Sequence, residues 1–453
     1  MIEMKRFFAV FAALLIAAAA VFPASANYNK ETEVTKSHRS SAYYMISLDD
    51  NSVIFSKNET KKLPAAAFVK ILAAVVATEK WGNLEEEVKI TDESLSLVTY
   101  DYGVRVALLE AGEVYTKKQL IDCLVIYGAN DVASVIAQSV SKTSAAFVAE
   151  MQALAEKIGC KNTQVKNITG FDEDGQYTTA EDVALIIKYA TNYPTFSEAF
   201  SATEITLPKT EKNDERTFSS SNRMMNAAVP DYYHASVTAG KQTSTDEAGE
   251  CVAVVSSQDG YSYLTVVMGG KLVDIDDDTV DENTSMTDAK ALLSWVYENI
   301  RFRVVAKSNQ TVTVVKVVAG RNADTLRLVP EKETSALVPA GATSDSVLIE
   351  PVEGTLPEKV TAPISAGDVI CQAKIYYAGD EITTVNLVAA NDVGLSTFRL
   401  AMTAISSVLS STWFIVLEVI LLACVVVYLA SVVKKMQKSK NGEEDNEKKK
   451  TEK

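Results

Sequence analysis

Three short segments hold the residues of this chain whose types and settings best suit chemistry: Lys70, Asn130 and Lys241 with their neighbours. Lys70 is the sole charged side chain in the apolar run from Ala65 to Thr78. An unpaired ammonium is costly to bury, so this lysine must find partners or line a cleft. The other reading is a lysine that snorkels from the helix flank. A desolvated, neutral amine can take a proton from a hydroxyl, and residues i and i+3 share a helix face. Three residues before Lys70 stands Ala67, whose methyl group cannot attack. Gly128-Ala129-Asn130-Asp131 interrupts a second apolar run, Gln119 to Gln138, and a Gly with an Asn in mid-pattern has a structural or functional reason. Lys241-Gln242-Thr243 and Thr245 precede a pair of alternating segments.

Other chemistries are excluded by scarcity. With only two histidines, His38 and His234, a Ser-His-Asp triad or a histidine zinc site is improbable, and no cofactor or metal is expected. The net charge of −15 argues against nucleic acid. Cys123, Cys160, Cys251, Cys371 and Cys424 show no C-x-x-C spacing and no disulfide-dense pattern; one bridge is possible, and its connectivity is not readable from sequence. The acidic run Asp274–Glu282 lacks the glycine and terminal glutamate of a calcium loop and reads as a solvated loop.

The elements that must position these residues are legible. Tyr43 to Phe55 reads as two strands around the turn cluster Asp49-Asp50-Asn51, and Pro64 opens a buried helix from Ala65 to Glu79. Phe147 to Ile158 reads as a helix ending at Gly159, and Thr179 as the cap of a helix from Ala180 to Ala190. Val252 to Val255 and Tyr261 to Met268 alternate as paired strands, and Met286 to Ile300 reads as an amphipathic helix. After Arg301 the period changes. Val312–Val318, Leu326–Val329, Ser346–Glu350, Val369–Tyr377 and Thr383–Leu387 read as strands of a small β domain.

Both ends carry apolar runs. Lys5 and Arg6, then Phe7–Phe22 and Ala24-Ser25-Ala26, predict a cleaved signal peptide over 1–26, with an uncleaved anchor as the alternative. Residues 412–433 are long enough to span about 30 Å of hydrocarbon, and Lys434, Lys435, Lys438 and Lys440 place the tail 434–453 in the cytoplasm. Glu418 lies within this span, either near the outer interface or paired with another helix. Between them lie a first domain over 27–300, the small β domain over 301–395 and an amphipathic connector over 396–411.

In order and spacing, nearly the whole mature chain resembles the D-alanyl-D-alanine carboxypeptidases, the low-molecular-weight penicillin-binding proteins. Ala67-Phe68-Val69-Lys70 is similar to the family's S-x-x-K, Gly128-Ala129-Asn130 to its S-x-N, and Lys241-Gln242-Thr243 to its K-T-G. Gly170-Phe171-Asp172 with Tyr177–Asp182, Ser221-Asn222-Arg223, Ala248-Gly249-x-Cys251 and Ala362-Pro363-Ile364 followed by Gly367 resemble further family segments. The resemblance implies an α+β fold: a penicillin-binding-protein/β-lactamase-like transpeptidase domain, with an antiparallel sheet flanked by helices, then a small all-β domain and one C-terminal transmembrane helix. It implies a serine that attacks the penultimate D-alanine carbonyl of a peptidoglycan stem peptide.

The departures from the pattern fall on the reacting groups. Ala67 replaces the nucleophile, Gly128 the proton-relaying hydroxyl, and Gln242-Thr243 the T-G of the strand. Removing a serine nucleophile costs about 10⁶ in kcat in a comparable enzyme. Ser139–Lys142 and Ser431–Lys434 also spell S-x-x-K, but in the wrong chain context. The expectation is a catalytically inactive homologue whose Lys70, Asn130, Lys241, Thr243 and Thr245 still bind a D-Ala-D-Ala stem peptide or a protein partner. Lys241 and Thr245 would hold its carboxylate. Residual or altered hydrolysis and a purely structural membrane scaffold are the alternatives.

Overall fold

A computed structural model describes residues 33–96, 98, 104–275, 279–409 and 411–451; side chains are described to residue 436, except that of residue 408. The segment 1–26, expected from the sequence to be a signal peptide, lies outside the described residues. The chain folds as two compact units. The first runs to Arg303 and includes Ser335–Leu348 and Tyr376–Thr383; the second holds Val304–Thr334, Ile349–Ile375 and the residues from Thr384 onward.

Alternation builds the first unit. Its five-stranded antiparallel sheet contains β1 (Ala42–Ser47), β2 (Val53–Lys57), β5 (Val237–Thr245), β6 (Gly249–Gln258) and β7 (Tyr261–Gly270), in the order β2-β1-β7-β6-β5. Both faces are buried. Cys251 and Ala253 of β6 and Leu264, Val266 and Met268 of β7 enter one apolar cluster, while Val252, Val254, Tyr263 and Val267 enter another. This is the period of two expected when each face meets its own layer of helices.

One layer is α1 (Val69–Trp81), α2 (Lys117–Ile126), α3 (Asn130–Ser141), α4 (Ser144–Ile158), α5 (Ala180–Ala190) and α6 (Pro194–Ser201); α7 (Thr284–Asn299) covers the other face. Between α6 and β5 lies a hairpin of β3 (Glu204–Leu207) and β4 (Arg216–Ser219). Every α1 residue from Val69 to Ala77 is buried, as its unbroken apolar composition requires. The helix starts later than Pro64: a 3₁₀ turn, Ala66–Phe68, precedes it, with Ala66 at φ 45°. Thr179 caps α5, its hydroxyl accepting from Asp182 N.

The second all-β region centres on a six-stranded sheet of β8 (Thr313–Val318), β9 (Thr325–Pro330), β10 (Val347–Pro351), β11 (Lys359–Thr361), β12 (Val369–Tyr377) and β13 (Asp380–Ala389). Its order is β10-β12-β13-β9-β8-β11, and β11 joins β8 in parallel. Helix α8 (Thr397–Leu409) follows, then α9 (Thr412–Thr451). Within α9, Thr412–Met436 is long and apolar enough to cross a membrane, and it includes Glu418.

Candidate active site

Two helix ends and one edge strand meet at the site. Helix α2 stops at Ile126, and Gly128, at φ 83°, turns the chain into α3, whose first residue is Asn130. The Asn130 N–H donates to Arg105 O at 2.8 Å, and Asp131 accepts from Ala107 N and Leu109 N at 2.9 and 3.0 Å. The α2–α3 junction thus fastens the loop that carries Arg105. Edge strand β5 brings Lys241, Thr243 and Thr245 alongside.

Ala67, Lys70, Gly128, Asn130, Lys241, Thr243 and Thr245 all line one cavity of about 210 Å³. The three sequence segments therefore converge, although more than 170 residues separate the first from the last. Arg105, Tyr127, Phe171 and Ser221 line it as well. Arg105 carries no sequence signal: it lies in a stretch without helical or strand period.

The lysines are paired, not snorkelling. Lys70 is 5% exposed and donates to Gly128 O at 2.6 Å; Lys241 is 2% exposed and donates to Val125 O at 2.8 Å. Val125 lies in the last turn of α2, where carbonyls lack helical donors and the helix dipole favours cations. Burial pushes the Lys70 amine well below its ordinary range, and the charges of Lys241 and Arg105 push it further. Burial, then Arg105, holds Lys241 down at about 7. Among the described residues no carboxylate lines this cavity. Its basic groups are the Arg105 guanidinium and two amines of lowered basicity.

Strand alternation separates Gln242 from its neighbours. Lys241 and Thr243 pair with Ala253 and Cys251 on the α1 side of the sheet. Gln242 pairs with Val252 and sends its side-chain amide to Glu250 Oε2 at 2.7 Å. It is Thr243 whose side chain turns toward Ala67: its Oγ1 accepts from the Ala67 N–H at 3.1 Å. The Thr245 hydroxyl donates to Asp172 Oδ1 at 2.6 Å, so it is already engaged and pins the loop at Gly170-Phe171-Asp172 to the strand. Asn130 Oδ1 is buried and has no partner among the described residues.

The other two S-x-x-K segments are elsewhere. Ser139 and Lys142 sit at the far end of α3 and do not line the cavity, and Ser431 is in the apolar helix. All five cysteines are free thiols, so Cys160 and Cys251 are not bridged. Burial pushes both of those thiols up to about 12.

The D-alanyl-D-alanine carboxypeptidase family profile matches residues 29–272, and that of the penicillin-binding protein 5 C-terminal domain matches 303–394. The chain belongs to the D-alanyl-D-alanine carboxypeptidase family. It is 24% identical over 362 residues to D-alanyl-D-alanine carboxypeptidase DacF of Bacillus subtilis, covering 79% of this chain and 86% of that one. It is 23% identical over 367 residues to D-alanyl-D-alanine carboxypeptidase DacC of Escherichia coli, covering 78% and 84%. The fold is similar to that of D-alanyl-D-alanine carboxypeptidase DacD from Francisella tularensis, with a TM-score of 0.61 at 20% identity, over 79% of this chain and 94% of that one. Penicillin-binding protein 5 from Haemophilus influenzae matches with a TM-score of 0.58 at 19% identity, over 79% and 98%. The low-molecular-weight penicillin-binding-protein architecture expected from the sequence is therefore present: an α+β domain, an all-β domain and one candidate apolar helix at the C-terminus.

Proposed function

We propose that this chain is a membrane-anchored cell-wall protein that binds a stem peptide ending in D-Ala-D-Ala, or a protein partner, without cleaving it. One observation carries the reading: Ala67 stands one turn before Lys70 in a cavity whose other parts are assembled. The methyl group has no lone pair to form an acyl bond, and Lys70 therefore has no proton to take from it. Gly128 supplies no hydroxyl to relay a proton to a leaving amine.

The groove keeps the means to bind. Arg105 and the protonated form of Lys241 favour an anionic end group, Lys70 can donate a hydrogen bond as a neutral amine, and the Asn130 side chain offers a ligand N–H an oxygen without a partner among the described residues. Among the described residues no further strand pairs with the outer edge of β5, so an extended peptide can add there once it displaces the Ser221 hydroxyl, which donates to Gln242 O at 2.7 Å. Thr245, held by Asp172, orients the strand turn rather than the ligand.

The accompanying topology is a signal peptide over 1–26, a binding domain over 27–300, a small β domain over 301–395, a connector over 396–411, a span over 412–433 and a cytoplasmic tail over 434–453. The apolar Thr412–Met436 helix and the lysines after it support this orientation.

Titration of a D-Ala-D-Ala-terminated pentapeptide into the full chain in detergent, with an assay for free D-alanine, tests the function. Saturable heat with no D-alanine released is expected. Release of D-alanine would establish residual hydrolysis. Absence of any binding, with partners copurifying through the membrane helix, would favour the scaffold.

A further inference from the structure

The loss of the serine is the obvious block to acyl transfer, but the cavity contains a second one. Acyl-transfer sites hold the carbonyl oxygen under attack by backbone N–H donors, and the N–H of the nucleophile's own residue is a common member of the pair. Such a donor works when the oxygen sits 2.7–3.1 Å from it. At position 67 that place is taken. Thr243 Oγ1 lies 3.1 Å from Ala67 N and accepts its hydrogen bond, and Thr243 is buried at 8% exposure.

We infer that Thr243 is a specificity-determining residue that keeps a bound acyl donor's carbonyl out of the reactive position, independently of Ala67. Its hydroxyl sits where the Ala67 amide would receive a carbonyl oxygen. An amide, ester or β-lactam cannot seat its carbonyl there without breaking the bond and displacing the side chain. A ligand that leaves the Ala67 N–H alone and meets Lys70, Lys241 and Arg105 through an anionic group is not opposed. The inference rests on the proposed binding role of the same cavity, and it predicts which ligands that cavity refuses.

The fold makes the contact robust. Thr243 lies mid-strand in β5, paired with Cys251 of β6, so its side chain is directed to the α1 face. Ala67 belongs to the 3₁₀ turn ahead of α1, which is fixed from the other side by Gly170: a Cβ there would meet Ala66 O at 2.1 Å. Neither partner is on a free loop. The residue that removes the block is the one with no side chain, or one with no hydroxyl.

The test uses the full chain in detergent and a fluorescent penicillin, following acylation by intact-protein mass. The variants are Ala67→Ser, Ala67→Ser/Thr243→Gly, Ala67→Ser/Thr243→Ala and Ala67→Ser/Thr243→Ser. In a productive reaction the introduced hydroxyl oxygen bonds to the lactam carbonyl carbon. The lactam C–N bond breaks, and the hydroxyl proton ends on the nitrogen. Restoring one carbonyl-holding donor is worth about 10²–10³ in rate. The Gly and Ala double variants should therefore acylate at least about 100-fold faster than Ala67→Ser alone. Thr243→Ser keeps the hydroxyl and should leave the rate within a few-fold of Ala67→Ser. Equal rates in all four, including no reaction in any, overturn the inference.

A second readout is independent of folding competence for catalysis. In the natural Ala67 background, exchange of the Ala67 amide should quicken at least about tenfold in Thr243→Ala and stay unchanged in Thr243→Ser, because only the first removes the acceptor. Unchanged exchange in Thr243→Ala also overturns it. Acylation of the unaltered chain would instead refute the proposed function, so the two failures are distinguishable.

Discussion

Replacing Lys241 with Met should stabilise the protein near neutral pH. The amine is held at about 7 in the fold, against an ordinary value of 10.5. A base lowered in this way binds fewer protons folded than unfolded between those two values, so stability rises with pH across that window and the cost is full below about pH 7. At 1.36 kcal/mol per pH unit the cost is about 4 kcal/mol at pH 7 and about 1 kcal/mol at pH 10. Methionine keeps the apolar stem and removes the titrating group. It also leaves Val125 O without its donor, which costs about 1–3 kcal/mol. The net gain expected at pH 7 is therefore about 1–3 kcal/mol, vanishing or reversing by pH 10. Urea unfolding of the full chain in detergent at pH 7 and pH 10, followed by tryptophan fluorescence, measures both values. A Lys241→Met protein that is less stable at pH 7, with the same pH slope as the natural chain, would refute the reasoning. The energy would then lie in the lysine's contacts and not in its desolvation.

Two further changes probe the frame of the site. Gly170→Ala places a Cβ 2.1 Å from Ala66 O at a backbone φ of 82°, so a loss of at least about 2 kcal/mol is expected in thermal unfolding; an unchanged melting temperature would mean that the loop yields freely. Arg105→Gln removes a positive charge that depresses both buried amines, so Lys241 should titrate above 7 by NMR of its ε-methylene, and no upward movement would show that burial alone sets its value.

The legible and the hidden parts of this molecule differ for physical reasons. Lys70 stood out because an ammonium in an apolar helix needs a partner, and Gly128-Ala129-Asn130 because a glycine and an asparagine break a helix. Both inferences needed only local periodicity. The alternation of β6 and β7 and the Thr179 cap were readable in the same way. The bond between Ala67 N and Thr243 Oγ1 spans 176 positions, and nothing local announces it. The same holds for Arg105, which the Asp131 carboxylate and the Asn130 amide position through backbone groups of any identity. The direction of Gln242 depended on the register of β5 against β6, since a shift of one residue would have exchanged its face with that of Thr243. The strand at Thr334–Pro339 is hidden in the sequence because its closing proline reads as punctuation, and β11 because three residues carry no period.

The frame around position 67 carries a cost in stability. Ala66 holds a positive φ of 45°, which an alanine rarely adopts, and two lysines remain buried with lowered basicity. A core free to optimise stability would shed all three.

Intact-protein mass spectrometry of the unaltered full chain after prolonged incubation with a labelled penicillin tests the central claim most directly. The account predicts the mass of the free protein alone, with no adduct at any residue. A stoichiometric mass increase equal to the penicillin would contradict it and would place an active nucleophile in this chain.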